Sequence, residues 1–200
     1  MTRASRRALA IIAVLASVIV ATLVTSLVLS PTEAAPGVDI GIVTPTRDTS
    51  LDGLGEEDGL IETGGYISPF DDHLPAIAEL DPALRDAMQA AATDALADGF
   101  EFVVTSGWRS ERYQRALFDQ AVRDYGSEKE ARRHVATAEG SEHITGDAVD
   151  IGFTDANSWL SQHGADYGLC QIYANEMWHF ELATTPGGEC PPQLPDPSYR

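Results

Sequence analysis

The sequence is short of positive charge: 13 Lys and Arg stand against 31 Asp and Glu, a formal net charge of −18. A surface of that sign repels phosphate polymers, and no basic stripe along the chain offsets it, which argues against a nucleic-acid partner. Cysteine is scarce too, with 2 residues in 200, Cys170 and Cys190. Their spacing excludes a CxxC-type structural zinc site, and no base stands beside either to make a thiol nucleophile. In an oxidising compartment the pair reads as a disulfide tying the C-terminal segment to the rest of the domain. Internal repeats are absent. What is present includes 44% hydrophobic residues, enough to build a core, so a disordered polymer is excluded.

A long apolar run occurs once, from Ala8 to Ser30, behind Arg3, Arg6 and Arg7. A basic flank before an apolar run marks a secretory signal or a membrane anchor. A cleaved signal has roughly 7–15 apolar residues, whereas crossing the hydrocarbon takes about 20. Length therefore favours an uncleaved anchor over residues 8–30, with the basic flank cytoplasmic and the rest outside. Thr32-Glu33-Ala34 is a mediocre cleavage site and leaves release after cleavage as the alternative.

The remainder divides by composition. Residues 1–30 are the signal-anchor segment, and 31–67 read as an acidic flexible linker rich in Gly, Pro, Thr, Asp and Glu. A folded domain is expected over 68–183 and a Pro-rich tail, lying as surface coil, over 184–200. Asp81-Pro82 predicts the start of an Ala-rich helix ending at Gly99. The β-branched run 102–105 predicts a buried strand. Ser110 caps a second helix to about Tyr125, Ser127 and Glu130 cap a third over about 128–137, and Asp155 caps a fourth. A loop from Glu139 to Gly146 leads into a strand over 147–152, and two more strands follow near 169–173 and 178–182. Helices first and antiparallel strands late give an α+β class, a small antiparallel sheet flanked by helices.

Two short stretches carry chemistry. In Ser141–Asp150, SEHITGDAVD, strand alternation puts Val149 and Ile151 on one face and Ala148 and Asp150 on the other. A carboxylate in so apolar a strand is costly unless something positive meets it. A metal would supply that charge, with His143 brought alongside by the turn at Gly146. In Glu176–Phe180, EMWHF, Glu176 and His179 are three apart, so in a regular strand they would face opposite ways. One of them must lie on a turn or bulge. If so, three protein ligands with one open position make a hydrolytic zinc site, and Glu176 is placed to act as its base. His73, His134 and His163 read as surface or satisfied core residues. Asp147 and Glu142 are discounted as ligands, Asp147 because it falls on the strand face opposite Asp150.

SEHITGDAVD followed by EMWHF resembles the VanY-type zinc D-alanyl-D-alanine carboxypeptidases, a family that shares its fold with the zinc D-Ala-D-Ala dipeptidases and the hedgehog signalling domain. The likeness extends to Ser106–Ser110 (SGWRS), to the helix with Gln114 and Leu117, and to Trp159 and Tyr167-Gly168, spanning about residues 68–183. It implies Zn2+ held by His143, Asp150 and His179, with Glu176 as catalytic base. It implies that Arg109 holds substrate or its developing oxyanion, a role for which a fixed cation is suited. A surface ion pair is the plainer reading of the same arginine. Ser141 and Gln114 fall where substrate-side or supporting hydrogen bonds are made, although Ser141 would serve equally as a loop cap. Met177 and Glu139 stand where the family often has proline, which touches the cleft walls but no ligand. The implied substrate is the peptidoglycan stem peptide, cut outside the cytoplasmic membrane to release D-alanine. An L,D-peptidase or an endopeptidase would use the same site. A non-catalytic zinc-stabilised wall-binding module would need neither Glu176 nor Arg109.

Overall fold

The computed structural model describes residues 51–62 and 64–200. The apolar run at 8–30 and the first part of the expected linker lie outside them. Among the described residues no helix is long and apolar enough to cross a membrane.

Local chemistry accounts for most elements. Pro75–Ala78 makes one turn (α1), and Asp81 then caps Pro82–Ala97 (α2), accepting from the amides of Ala83 and Leu84. Proline at the first helical position forfeits no hydrogen bond, and the alanines behind it are strong helix formers. Val103–Ser106 is β1. Ser110 caps Glu111–Tyr125 (α3), which stops at the left-handed Gly126. Two single turns follow, Glu128–Ala131 (α4) and Glu142–Thr145 (α5). Ala148–Gly152 is β2, Thr154–His163 is α6, Leu169–Gln171 is β3 and His179–Leu182 is β4.

The strands form one antiparallel sheet in the order β1-β2-β4-β3, giving an α+β architecture. Leu84, Met88 and Ala91 of α2 and Trp159 and Leu160 of α6 pack on Val104, Val149, Ile151 and Phe180 of the sheet. Complete burial of the Val, Leu, Ile, Met and Phe side chains among them contributes about 1.5–3 kcal/mol each. Because alternate residues of β2 point to opposite faces, anchoring Val149 and Ile151 in this core leaves Asp150 on the far face. A rigid sheet thus presents the residues around which the site is built.

Several local expectations are corrected. The helix expected over 128–137 ends at Ala131, because the next amides turn back three residues (Arg133 to Glu130, His134 to Ala131). Gln114 then takes the carbonyl of Ala136 at 2.8 Å and holds the chain off the helical path. Asp155 lies inside α6 rather than capping it; the cap position is Phe153, at φ 67°. The 139–146 loop contains α5, closed by Gly146 at φ 80°, where a side chain would strike the carbonyl of Glu79. Nor is the acidic stretch before Gly65 all solvated. Asp58 is buried and accepts from Ser110 Oγ at 2.7 Å and from the Arg112 guanidinium. The tail departs from surface coil as well: Leu194 pairs with the backbone of Ile172 and Ala174, and Asp196 and Pro197 are buried. Cys170 and Cys190 are joined by a disulfide across 20 residues, with Cα atoms 5.6 Å apart.

Candidate metal centre

Three of the expected residues converge. His143 on α5, Asp150 on β2 and His179 on β4 are all buried, and one potential ligand atom from each lies within 4.8 Å of the others. Asp150 and His179 are paired directly across the β2–β4 ladder. Asp150 Oδ1 is 3.2 Å from His179 Nδ1 and 3.4 Å from His143 Nε2.

The ring nitrogens that face away are both engaged. His143 Nδ1 is 2.7 Å from the carbonyl oxygen of Gly107, and His179 Nε2 is 2.9 Å from Glu181 Oε1. With both rings neutral, as a bound cation requires, each acceptor would hold the ring proton on its own side and the nitrogen facing Asp150 would offer a lone pair. Two imidazoles and a carboxylate so arranged fit a divalent ion of the zinc type.

The SGWRS loop builds one side of the centre. Gly107 approaches so closely that a side chain there would strike the Ala76 carbonyl, and its own carbonyl orients His143. Trp108 Nε1 donates to the Ile144 carbonyl at 3.0 Å, and the Arg109 amide donates to the His143 carbonyl at 3.0 Å. The Arg109 guanidinium is committed on three sides, to Ser106 Oγ at 2.7 Å, Gln114 Oε1 at 3.0 Å and Asp150 Oδ2 at 2.9 Å. Its ion pair is therefore with Asp150 inside the site, not with a surface acid.

Glu176 leaves the strand alternation. It lies on the turn before β4, its carbonyl accepting from the His179 amide at 3.2 Å, and its carboxylate is 3.9 Å from His179 Nδ1. Burial, reinforced by the nearby Asp150 charge and only partly opposed by His179 and Arg109, pushes the Glu176 carboxyl up to about 7. Burial works against the charge on His179 also, but its hydrogen bonds to Asp150 and Glu181 prevail and raise it to about 9. Asp150 is pushed up by burial, yet His143, His179 and Arg109 together hold it well below the usual carboxylate range. In the tightly coupled His143–Asp150 pair we take His143 as neutral, because burial and the Arg109 charge both lower it.

These groups open onto a cleft of about 210 Å3 whose walls include Leu117, Tyr173, Trp178 and Pro197. Ser141 lines it, and its side chain does not cap α5. Gln114 is buried with both ends of its amide used, on Arg109 and on the Ala136 carbonyl, so it supports Arg109. Met177 is exposed on the turn, and Asp147 is exposed away from the centre. His134 stacks on Tyr125 with ring centroids 4.0 Å apart and also borders the cleft.

Sequence reasoning missed Glu181 and Arg200. Glu181 follows His179 by two on the same strand face, so the cost argument that singled out Asp150 applied to it equally. Arg200, which binds Glu181, left no local mark.

Residues 77–185 match the family model described as VanY: D-alanyl-D-alanine carboxypeptidase. The chain is 29% identical over 126 residues to a D-alanyl-D-alanine carboxypeptidase of Enterococcus faecalis, covering 50% of this chain and 46% of that one. It thus spans about half the length of that curated relative. Among solved structures, the vancomycin-resistance D,D-dipeptidase VanXYg, in complex with a D-Ala-D-Ala phosphinate analogue, aligns with a TM-score of 0.50 and 25% identity, over 68% of this chain and 63% of that one. VanYB in complex with D-alanine-D-alanine aligns with a TM-score of 0.49 and 26% identity, over 51% and 70% of the two chains.

Proposed function

The chain belongs to the VanY family of D-alanyl-D-alanine carboxypeptidases, and on that footing we propose that it is a zinc-dependent peptidase that releases C-terminal D-alanine from peptidoglycan stem peptides. The observation that carries the reading is the buried His143–Asp150–His179 cluster with Glu176 beside it. In this reading His143 Nε2, an Asp150 carboxylate oxygen and His179 Nδ1 hold the ion. Zinc held there would supply Lewis-acid chemistry for a peptide hydrolysis.

The chain's own groups do the rest. Glu176, whose carboxylate is buried 3.9 Å from His179 Nδ1, takes a proton at a carboxylate oxygen from the attacking water and returns it to the departing amine nitrogen. Arg109, locked by Ser106 and Gln114, stands as a fixed cation for the substrate carboxylate or the developing oxyanion. Ser141 offers a hydroxyl on the cleft wall. A wall substrate places the domain outside the cytoplasmic membrane. That placement agrees with the apolar run 8–30, read as an anchor or a cleaved signal ahead of a linker, peptidase domain and tail.

The test is to incubate the zinc-loaded protein with a stem pentapeptide ending in D-Ala-D-Ala and identify the products. Free D-alanine with a tetrapeptide is the expected result. Cleavage only of an L,D bond or only of cross-linked peptide would replace the substrate assignment, and no cleavage would overturn the enzyme reading.

A further inference from the structure

Residues 190–200 run from the disulfide back to the metal centre along a defined course. Cys190 is bonded to Cys170, the Leu194 amide donates to Ile172 and its carbonyl accepts from Ala174, each at 2.8 Å, and Pro197 forms part of the cleft wall. Arg200 then reaches behind the ligands. Its two terminal nitrogens grip Glu181, at 2.6 Å to Oε1 and 2.8 Å to Oε2. One of them is also 3.3 Å from Glu142 Oε1 and 3.3 Å from the Tyr173 hydroxyl, and the guanidinium carbon lies 6.0 Å from the Tyr173 ring centroid.

The two carboxylates belong to different elements. Glu142 precedes His143 on α5, and Glu181 follows His179 on β4, where Oε1 takes the His179 ring at 2.9 Å. One guanidinium thus joins the two elements that bear the histidines, on the side away from Asp150.

We propose that Arg200 is a positioning residue for the metal centre: through Glu181, with Glu142 as a second tie, it fixes the His179 ring so that Nδ1 faces His143 and Asp150. The inference rests on the metal site proposed above. A buried carboxylate held by one fork has a single orientation, and the histidine bonded to it inherits that orientation. Deprived of the fork, Glu181 is a buried anion with the imidazole as its main partner, free to turn away. Lysine would restore the charge but not the two-point grip. Loss of such an orienting partner typically weakens metal binding about 10–100-fold.

The test compares the intact chain with Arg200→Ala, Arg200→Lys, Glu181→Gln and the Arg200→Ala/Glu181→Gln double variant. The readouts are the Zn2+ dissociation constant, by competition with a chromophoric chelator, and the visible spectrum of the Co2+-loaded protein. Arg200→Ala is expected to weaken Zn2+ binding about 10–100-fold and to alter the Co2+ spectrum. Arg200→Lys should recover part of the loss. The double variant should be no weaker than the weaker single one, because Arg200 acts through Glu181. Wild-type zinc affinity and an unchanged spectrum in Arg200→Ala, or losses that simply add in the double variant, would overturn the proposal. Should Arg200→Ala not fold, Arg200→Lys carries the same comparison, and wild-type affinity in it is the overturning result. Failure of the intact chain itself to bind Zn2+ would sink the metal site as well, whereas failure confined to the Arg200 comparison leaves that site standing.

Discussion

Asp150 and His179 face each other as direct cross-strand partners, with Asp150 Oδ1 3.2 Å from His179 Nδ1. Through this pairing the sheet register sets the geometry of the proposed ligand set. A one-residue slip would turn Asp150 into the core and Val149 into the cleft, so the core that fixes the register also fixes the site. We predict that His179→Ala and Asp150→Asn fold but fail to retain zinc. Metal analysis after dialysis should fall from about one ion per chain to a small fraction, as expected when one of three protein ligands is lost. Full occupancy in either variant would remove that residue from the ligand set.

Arg109 touches Ser106, Gln114 and Asp150 through a planar fork that lysine cannot reproduce. Arg109→Lys is therefore expected to lower kcat/KM for D-alanine release by about 10²-fold or more, the scale of losing a transition-state donor. Steady-state kinetics on the zinc-loaded variant measures it. Unchanged kinetics would reduce the arginine to a structural ion pair.

Asp58 links the segment before the first helix to α3. The hydrogen bond from Arg112, aided by those from Ser110 and the Gly55 amide and opposed by burial, holds its carboxyl below the usual carboxylate value. A depressed carboxyl stabilises the fold fully above its unfolded value, and the contribution fades as pH falls through the folded value. Asp58→Asn should thus be less stable than wild type at neutral pH by about 1 kcal/mol, a hydrogen bond to a charged group discounted for the exposed Arg112. The gap should narrow as pH falls below the unfolded carboxylate value and close once it passes the lower, folded one. Urea melts at several pH values test this; a gap independent of pH would contradict the charged-pair origin.

The disulfide closes a 20-residue separation that contains the turn bearing Glu176 and the whole of β4. Replacing Cys170 and Cys190 together by serine should lower stability by about 3 kcal/mol on the loop-entropy account. Chemical denaturation with and without reductant checks the figure, and wild-type stability in the variant would refute it.

Much of the candidate site was legible in the sequence because its residues violate local expectation. Asp150 interrupts an apolar strand, and Glu176 and His179 cannot share a strand face at a spacing of three; the turn before β4 resolves that conflict by taking Glu176 out of the strand. Helix α2 was readable from its Asp-Pro cap and α3 from Ser110 and Gly126, all local signals. Partnerships that depend on the tertiary path were not. Arg112 meets Asp58 across 54 residues, and Arg200 meets Glu181 only because the tail returns beneath the cleft. The 128–137 helix failed for the same kind of reason, since a buried glutamine on α3 captures the Ala136 carbonyl.

The most direct test of the account is the rate of D-alanine release from a stem pentapeptide by zinc-loaded Glu176→Ala, measured against wild type at equal metal content. With the proton carrier removed and the three ligands intact, the account predicts full zinc occupancy and a rate lower by about 10²–10⁴-fold. Release at the wild-type rate would contradict it.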